Sequence, residues 1–287
     1  MFVMLGELFK KKFAVRINWW NFYVPIFHNL VKLLHHAENP YIGWMVRRAA
    51  LINDKKIHFT QGTVIPLEAE LNKKGSQGST VMPIHLVEKL IREAPDRYIV
   101  HRCLCRDGNN CQDFPHDHAC IFLGQGSHVT YENGISRKAS VEEAIEHLHK
   151  GVELGLICQC LWIEAEQYFW GFPKDKMQNF LEVCFCCPCC CLSLNSCKKI
   201  TEVFGDRIQS IGWEARVSGD CIACGKCVEV CPMHAIVLGE EQAEIQGRCI
   251  GCGLCASNCP TDAMELYQKA PLKDDIKDYF WGFRPDV

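Results

Sequence analysis

The sequence has no surplus of positive charge. Among 287 residues, 31 Lys and Arg stand against 34 Asp and Glu, a net of −3 with His neutral. A chain without a basic field lacks the electrostatic footprint of a nucleic-acid binder, so no nucleic-acid partner is expected. It has no charge-free apolar run of 18 residues, which argues against a transmembrane helix. Lys10, Lys11 and Lys12 follow the opening apolar stretch instead of preceding it, the wrong order for a secretory leader. No G-x4-G-K-[ST] loop is present for nucleotide hydrolysis, and Gly124-Gln125-Gly126 lacks the third glycine of a dinucleotide fingerprint. Neither a nucleophile elbow nor the kinase motif set occurs. The C-x3-C-x2-C spacing expected of radical-SAM enzymes is missing too.

What the chain has is cysteine, 21 of them. An odd count in a long chain is a poor disulfide framework. The cysteines also fall in tight groups with metal-ligand spacing, so the expectation is a reducing, cytoplasmic, metal-loaded protein. The strongest signal is an internal repeat. Cys221-Ile-Ala-Cys224-Gly-Lys-Cys227-Val-Glu-Val-Cys231-Pro232 returns 28 residues later as Cys249-Ile-Gly-Cys252-Gly-Leu-Cys255-Ala-Ser-Asn-Cys259-Pro260. Gly225 and Gly253 let the backbone turn tightly beneath a cluster, and Pro232 and Pro260 end each run. Zinc is the rival ligand, but zinc sites use pairs of cysteines, not two runs of four closed by proline.

This pattern resembles that of two-cluster bacterial ferredoxins, over roughly residues 215–268. In those proteins the fourth thiolate of each run serves the other cluster. The resemblance implies one [4Fe-4S] cluster on Cys221, Cys224, Cys227 and Cys259, and a second on Cys249, Cys252, Cys255 and Cys231. It also implies a βαββαβ-type fold and one-electron transfer at low potential. Ile236–Leu238 and Ala243–Ile245, joined through Gly239, read as a strand hairpin within it.

Thirteen cysteines lie upstream. Cys103, Cys105, Cys111 and Cys120 form one group. Cys184, Cys186, Cys187, Cys189, Cys190, Cys191 and Cys197 form a second, and Cys158 and Cys160 stand between them. So many bare thiols would be an oxidation liability, and metal clusters are the simple way to make them useful. Cys184-x2-Cys187-x2-Cys190 repeats the ferredoxin spacing. Two partitions stay open. In one, the first group holds a cubane and the second holds at least one more cluster; in the other, a larger or noncubane cluster draws on both. Cys158 and Cys160 are either added ligands or buried structural thiols. Arg106 either donates hydrogen bonds to cluster sulfides, raising the potential, or makes a surface salt bridge. His116 and His118, and the pair His147 and His149, are read as polar surface residues first and as ligands or proton donors second.

Over about residues 60–270 the chain resembles a family of anaerobe iron–sulfur proteins. The matching pieces are Cys103-Leu-Cys105-Arg106, Cys111, Cys120 with Leu123-Gly124, Glu142-Glu143-Ala144, Gly155-Leu156 and Cys184–Cys191. The family pattern does not lead one to expect Cys158 and Cys160. The resemblance implies cluster binding and says little about substrate.

The local patterns give the organisation. Pro83–Glu93 places Ile84, Leu86, Val87, Leu90 and Ile91 at helical spacing, and Tyr98-Ile-Val reads as a strand. Ser140 and Glu143 form a capping box for a helix running to about Leu154 and stopped by Gly155. Asn179–Glu182 and Leu194–Phe204 carry further helical character. Aromatics and basic residues crowd the first 45 positions, where Pro25 is expected to interrupt. That segment is a docking surface for a partner, with peripheral membrane contact through residues 1–36 as the alternative. Tyr168-Phe-Trp-Gly-Phe172 recurs as Tyr279-Phe-Trp-Gly-Phe283, and the second copy is expected to be anchored.

The expected fold class is α+β. A docking segment (1–45) precedes a mixed α/β cysteine-rich cluster domain (46–205), a 2[4Fe-4S] ferredoxin domain (206–270) and an aromatic tail (271–287). The expected function is low-potential electron transfer through several [4Fe-4S] clusters, as a subunit of an anaerobic redox complex whose partners are larger oxidoreductase subunits. A reductase with an unusual catalytic cluster on the Cys184–Cys197 run is the alternative, and metal delivery or cluster assembly is a third reading.

Overall fold

A computed structural model describes residues 14–49, 60–65, 83–163, 166–199, 208–280 and 285–287. Its centre is a seven-stranded sheet. The strands are β1 (Thr60–Ile65), β2 (Arg97–Val100), β3 (Ile121–Leu123), β4 (Ser136–Lys138), β5 (Ile157–Ile163), β6 (Leu181–Cys186) and β7 (Ile208–Ser210). They lie in the order β4-β2-β3-β6-β5-β1-β7. All neighbours are antiparallel except β1 and β7. β5 and β6 are buried on both faces, so they do not alternate apolar with exposed polar residues, and their polar residues Gln159 and Glu182 are buried as well.

Local signals place the helices. One begins at Pro83 and ends at Glu93, as its spacing predicts. Ser140 caps the helix Val141–Glu153: its Oγ accepts from the Glu143 N–H at 3.1 Å, and Glu143 Oε2 accepts from the Ser140 N–H at 2.8 Å. Gly155 then takes φ +70°, a left-handed conformation that ends the run. Two expectations need correction. Asn179–Glu182 is not a helix: a 3-10 segment ends at Asn179 and β6 begins at Leu181. Six consecutive buried positions in β6 erased the alternation that marks a strand. Nor does Pro25 interrupt: the helix α1 (Trp20–Leu33) passes through it. Burial of Trp20, Val24, Phe27 and His28 on one face offsets the single backbone bond that proline forfeits. The expected helix at Leu194–Phe204 is described as Leu192–Lys199, and residues 200–207 lie outside the described residues.

The C-terminal module is β8 (Trp213–Val217), a short helix Lys226–Val230, β9 (Ile236–Leu238), β10 (Ala243–Ile245), a helix Leu254–Ser257 and β11 (Met264–Gln268). β8 pairs with β11 and β9 with β10, both antiparallel. β7 at Ile208–Ser210 belongs to the large sheet, so the module's own strands begin at Trp213. The sequence repeat is also a backbone repeat. Positive φ falls at Ala223 and Gly251, at Gly225 and Gly253, and at His234 and Asp262. The module shares an apolar layer with the large sheet, in which Ile250, Cys252 and Leu254 pack with Leu194, Cys186, Cys191 and Cys197. Ile276 and Phe280 are buried in the sheet's core, and the Asp286 N–H bonds the Gln178 carbonyl at 2.9 Å, so the tail is anchored at these positions; residues 281–284 lie outside the described residues. The architecture is thus α+β with antiparallel sheets.

Candidate metal centres

Two cavities in the C-terminal module sort its eight thiols. One is lined by Cys221, Cys224, Cys227 and Cys259. The other is lined by Cys231, Cys249, Cys252 and Cys255. The fourth thiol of each run therefore stands with the three of the other run. Backbone amides aim at these sulfurs: Ala235 N donates to Cys231 Sγ at 3.3 Å, and Ala215 N and Gly251 N donate to Cys249 Sγ at 3.4 Å each. Such donors stabilise thiolate and lower the cost of adding an electron to a bound cluster. Burial pushes the Cys252 thiol up to about 12, a cost that a coordinated cation reverses. Four thiols around each cavity, with amide donors behind them, fit a cubane.

The upstream thiols converge from three segments. Cys103 and Cys105 sit at the start of a short helix, Leu104–Asn109; Cys120 directly precedes β3; Cys184 and Cys186 project from β6. Cys120 Sγ and Cys186 Sγ each lie 3.2 Å from Cys184 Sγ. The Cys105 thiol hydrogen-bonds Cys103 and Cys191, which with burial holds it protonated well above its ordinary value. The hydrogen bond from Cys105 pulls Cys103 down to about 7, against burial and with help from Arg106. Cys111 lies elsewhere, with Cys187, Cys189 and Cys190; these four sulfurs are all within 4.8 Å of one another. The structure thus mixes the two sequence groups: Cys111 and Cys120 separate, and each joins partners from the later run.

Arg106 is at the heart of this arrangement and is 0% exposed, so it makes no surface salt bridge. One guanidinium nitrogen donates to the Phe185 carbonyl at 3.0 Å and another to the His118 carbonyl; Nε has no partner. Burial works against its charge, and the sulfurs of Cys103, Cys187, Cys120 and Cys184 around it favour that charge once they are ionised. A buried guanidinium is costly without a counter-charge, and thiolates holding a metal centre supply one.

Strand alternation decides which other side chains belong. Cys184 and Cys186 face one side of β6, and Glu182, two residues earlier, faces the same side. Glu182 lies within 4.8 Å of Cys120 and Cys184, and hydrogen-bonds Glu166. Burial and the neighbouring Glu182 push Glu166 well above the usual carboxylate range, so this carboxyl carries a proton in a dry setting. Sequence reasoning missed Glu182; its period-2 spacing from Cys184 and Cys186 was the available signal. Cys158 and Cys160 lie opposite Phe185 and Val183 in register, so they face the other, apolar side. Burial alone raises Cys158 to about 12. Cys197 is buried in the layer shared with Cys252.

The histidines are less exposed than a polar-loop reading implies. His116 bridges Asp107 at 2.6 Å and the Cys111 carbonyl at 2.8 Å. His118 is buried and stacks on His147 with ring centroids 3.9 Å apart, while His147 bonds the Ala119 carbonyl at 2.7 Å. Asp107 also accepts from Trp20 Nε1 at 2.6 Å and from Arg102 at 2.6 and 2.8 Å, tying α1 to the first cysteine group.

Residues 220–263 match the family model described as a 4Fe-4S dicluster domain. No curated protein and no solved structure matches the chain. The match and the clustered thiols make this an iron–sulfur protein with a 4Fe-4S module near its C-terminus.

Proposed function

We propose that the chain carries electrons one at a time between its dicluster module and an upstream iron–sulfur centre, at low potential, as a subunit of a larger anaerobic redox complex. In this reading Cys221, Cys224, Cys227 and Cys259 hold one [4Fe-4S] cluster, and Cys231, Cys249, Cys252 and Cys255 hold the other. Cys103, Cys105, Cys120, Cys184, Cys186 and Cys191 supply the upstream centre, with Arg106 as its buried counter-charge. Bound clusters supply reversible one-electron chemistry. The observation that carries the reading is the shared apolar layer: Cys252 packs in the same buried cluster as Cys184, Cys186, Cys191 and Cys197. A dry, contiguous path between ligands of two centres keeps water and its reorganisation away from the transfer. Exposure of Cys224 and Cys189 favours an oxygen-free setting.

Phe22 and Ile26 are exposed on α1, Trp19 just before it, and Tyr41, Trp44 and Met45 beyond it. That aromatic face is the proposed seat of the larger oxidoreductase subunit, an apolar patch of the kind that marks protein interfaces. No helix among the described residues is long and apolar enough to cross a membrane. Flotation with anionic vesicles separates surface adsorption from protein docking.

One observation favours the reductase reading as a second possibility. An open cleft of about 730 Å³ is lined by Cys189 and Cys231, with Lys198 and His234 among its other residues. A substrate there would lie between a ligand of the dicluster module and the Cys111, Cys187, Cys189 and Cys190 group.

The test is iron and acid-labile sulfide per chain on anaerobically prepared protein, with EPR of the dithionite-reduced sample. About twelve or more irons, above the eight of a dicluster module, support the relay. About eight would reduce the protein to a ferredoxin with a thiol-rich partner domain. An EPR signal unlike a cubane and perturbed by added substrate would favour the reductase.

A further inference from the structure

We infer that Cys111, Cys187, Cys189 and Cys190 bind a single thiophilic ion, zinc or iron, and not an iron–sulfur cubane. Their sulfurs all lie within 4.8 Å of one another, and Cys111 Sγ is 3.7 Å from Cys189 Sγ. A tetrahedral ion with metal–sulfur bonds of about 2.3 Å sets its thiolates roughly 3.8 Å apart. A cubane carries each thiolate outward on its own iron, so its ligands stand roughly 6 Å apart around the inorganic core. The same chain provides the comparison. Its eight dicluster thiols stand around two cavities, and among the described residues none of them joins a group closed to 4.8 Å.

The site is built, not a chance crowding of side chains. The helix Leu104–Asn109 ends at Asn110 in a left-handed conformation, which turns Cys111 toward the Cys187–Cys190 turn. Asn109 Nδ2 donates to the Cys105 carbonyl at 2.9 Å and to the Cys190 carbonyl at 3.2 Å, stitching the two segments together. Asn195 Nδ2 holds the Cys189 carbonyl at 3.2 Å and the Cys191 carbonyl at 2.9 Å. The backbone amides of Asp113 and Phe114 hydrogen-bond the Cys111 sulfur. Four thiolates around one ion leave a net negative site, which Arg106 partly balances through Cys187. The inference does not depend on electron transfer by the chain.

The experiment is metal analysis with acid-labile sulfide on the full anaerobic chain and on Cys189→Ser, whose native thiol is exposed. The expected result is loss of about one equivalent of metal per chain with sulfide unchanged, and dicluster EPR retained. Loss of about four irons with their sulfide, or of no metal at all, overturns the inference. Should the variant fail to fold, Mössbauer spectroscopy of iron-57-enriched wild-type protein, together with its zinc content, decides. An iron site with sulfur-only ligation outside the cubane signals, or one zinc per chain, supports it. Cubane iron alone with no zinc overturns it. The zinc and iron results also identify the ion. Failure of the relay reading would appear instead as a total near eight irons with this single ion still present.

Discussion

Replacing Arg106 with Met is the sharpest test of the upstream centre. The substitution keeps a long apolar stem and removes a charge that is 0% exposed and ringed by Cys103, Cys120, Cys184 and Cys187. Two effects follow. The Phe185 and His118 carbonyls lose their donor, and the thiolate centre loses its counter-charge. Breaking a buried charge pairing of this kind costs about 3–5 kcal/mol. The same loss acts on redox poise. A unit charge roughly 6 Å from the added electron, at an effective dielectric of about 20, is worth about 3 kcal/mol, or about 130 mV for one electron. The sign is fixed, because a cation favours the reduced, more negative state and its removal lowers the midpoint. EPR-monitored redox titration should therefore show the upstream signal shifted down by about 130 mV, with the dicluster signals fixed as an internal reference. Arg106→Lys keeps the charge but not the fork onto two carbonyls, so it should lose stability with a smaller shift. An upstream potential unmoved in a folded Arg106→Met protein would refute the argument, since it would mean that no anionic centre forms beside Arg106.

Three further outcomes are expected. Cys158→Ala with Cys160→Ala should leave iron and sulfide per chain unchanged, because both thiols face the apolar side of β5, and should cost about 1–3 kcal/mol in urea denaturation through lost packing. Asp107→Ala removes the shared acceptor of Trp20, Arg102 and His116, so limited proteolysis should cut within residues 14–33 many times faster than in wild type. Gly251→Ala should cost several kcal/mol and slow cluster loading, since its φ is +67° and a Cβ there collides with the Trp213 carbonyl, whereas Ala223→Gly at the equivalent position should be neutral or stabilise by about 1 kcal/mol on thermal unfolding.

How much was legible in the sequence depended on range. The helix at Pro83–Glu93, the Ser140 capping box and the hairpin of β9 and β10 follow from residues within one turn of each other, and local periodicity exposes them. The dicluster module was legible for the same reason, because its ligand spacing is short and repeated. The upstream centres were not. Cys120 meets Cys184 across 64 positions and Cys111 meets Cys189 across 78, contacts that only the strand order creates. Two identical C-x-C pairs, Cys158/Cys160 and Cys184/Cys186, part company because each faces a different side of one sheet. Arg106 showed its identity but not its burial, which depends on β6 closing over it.

The crossed lining of the two module cavities also bears on how the protein matures. Cys231 leaves the first repeat to stand with the second, and Cys259 does the reverse. Filled cavities would close two interlocked rings in the chain, one from Cys221 to Cys259 and one from Cys231 to Cys255. Such rings restrict the unfolded ensemble as a pair of nested cross-links does. During synthesis the outer ring stays open until Cys259 has emerged, so cofactor insertion belongs after translation of the whole module. Oxidative loss of either cluster would free thiols in both halves of the module at once.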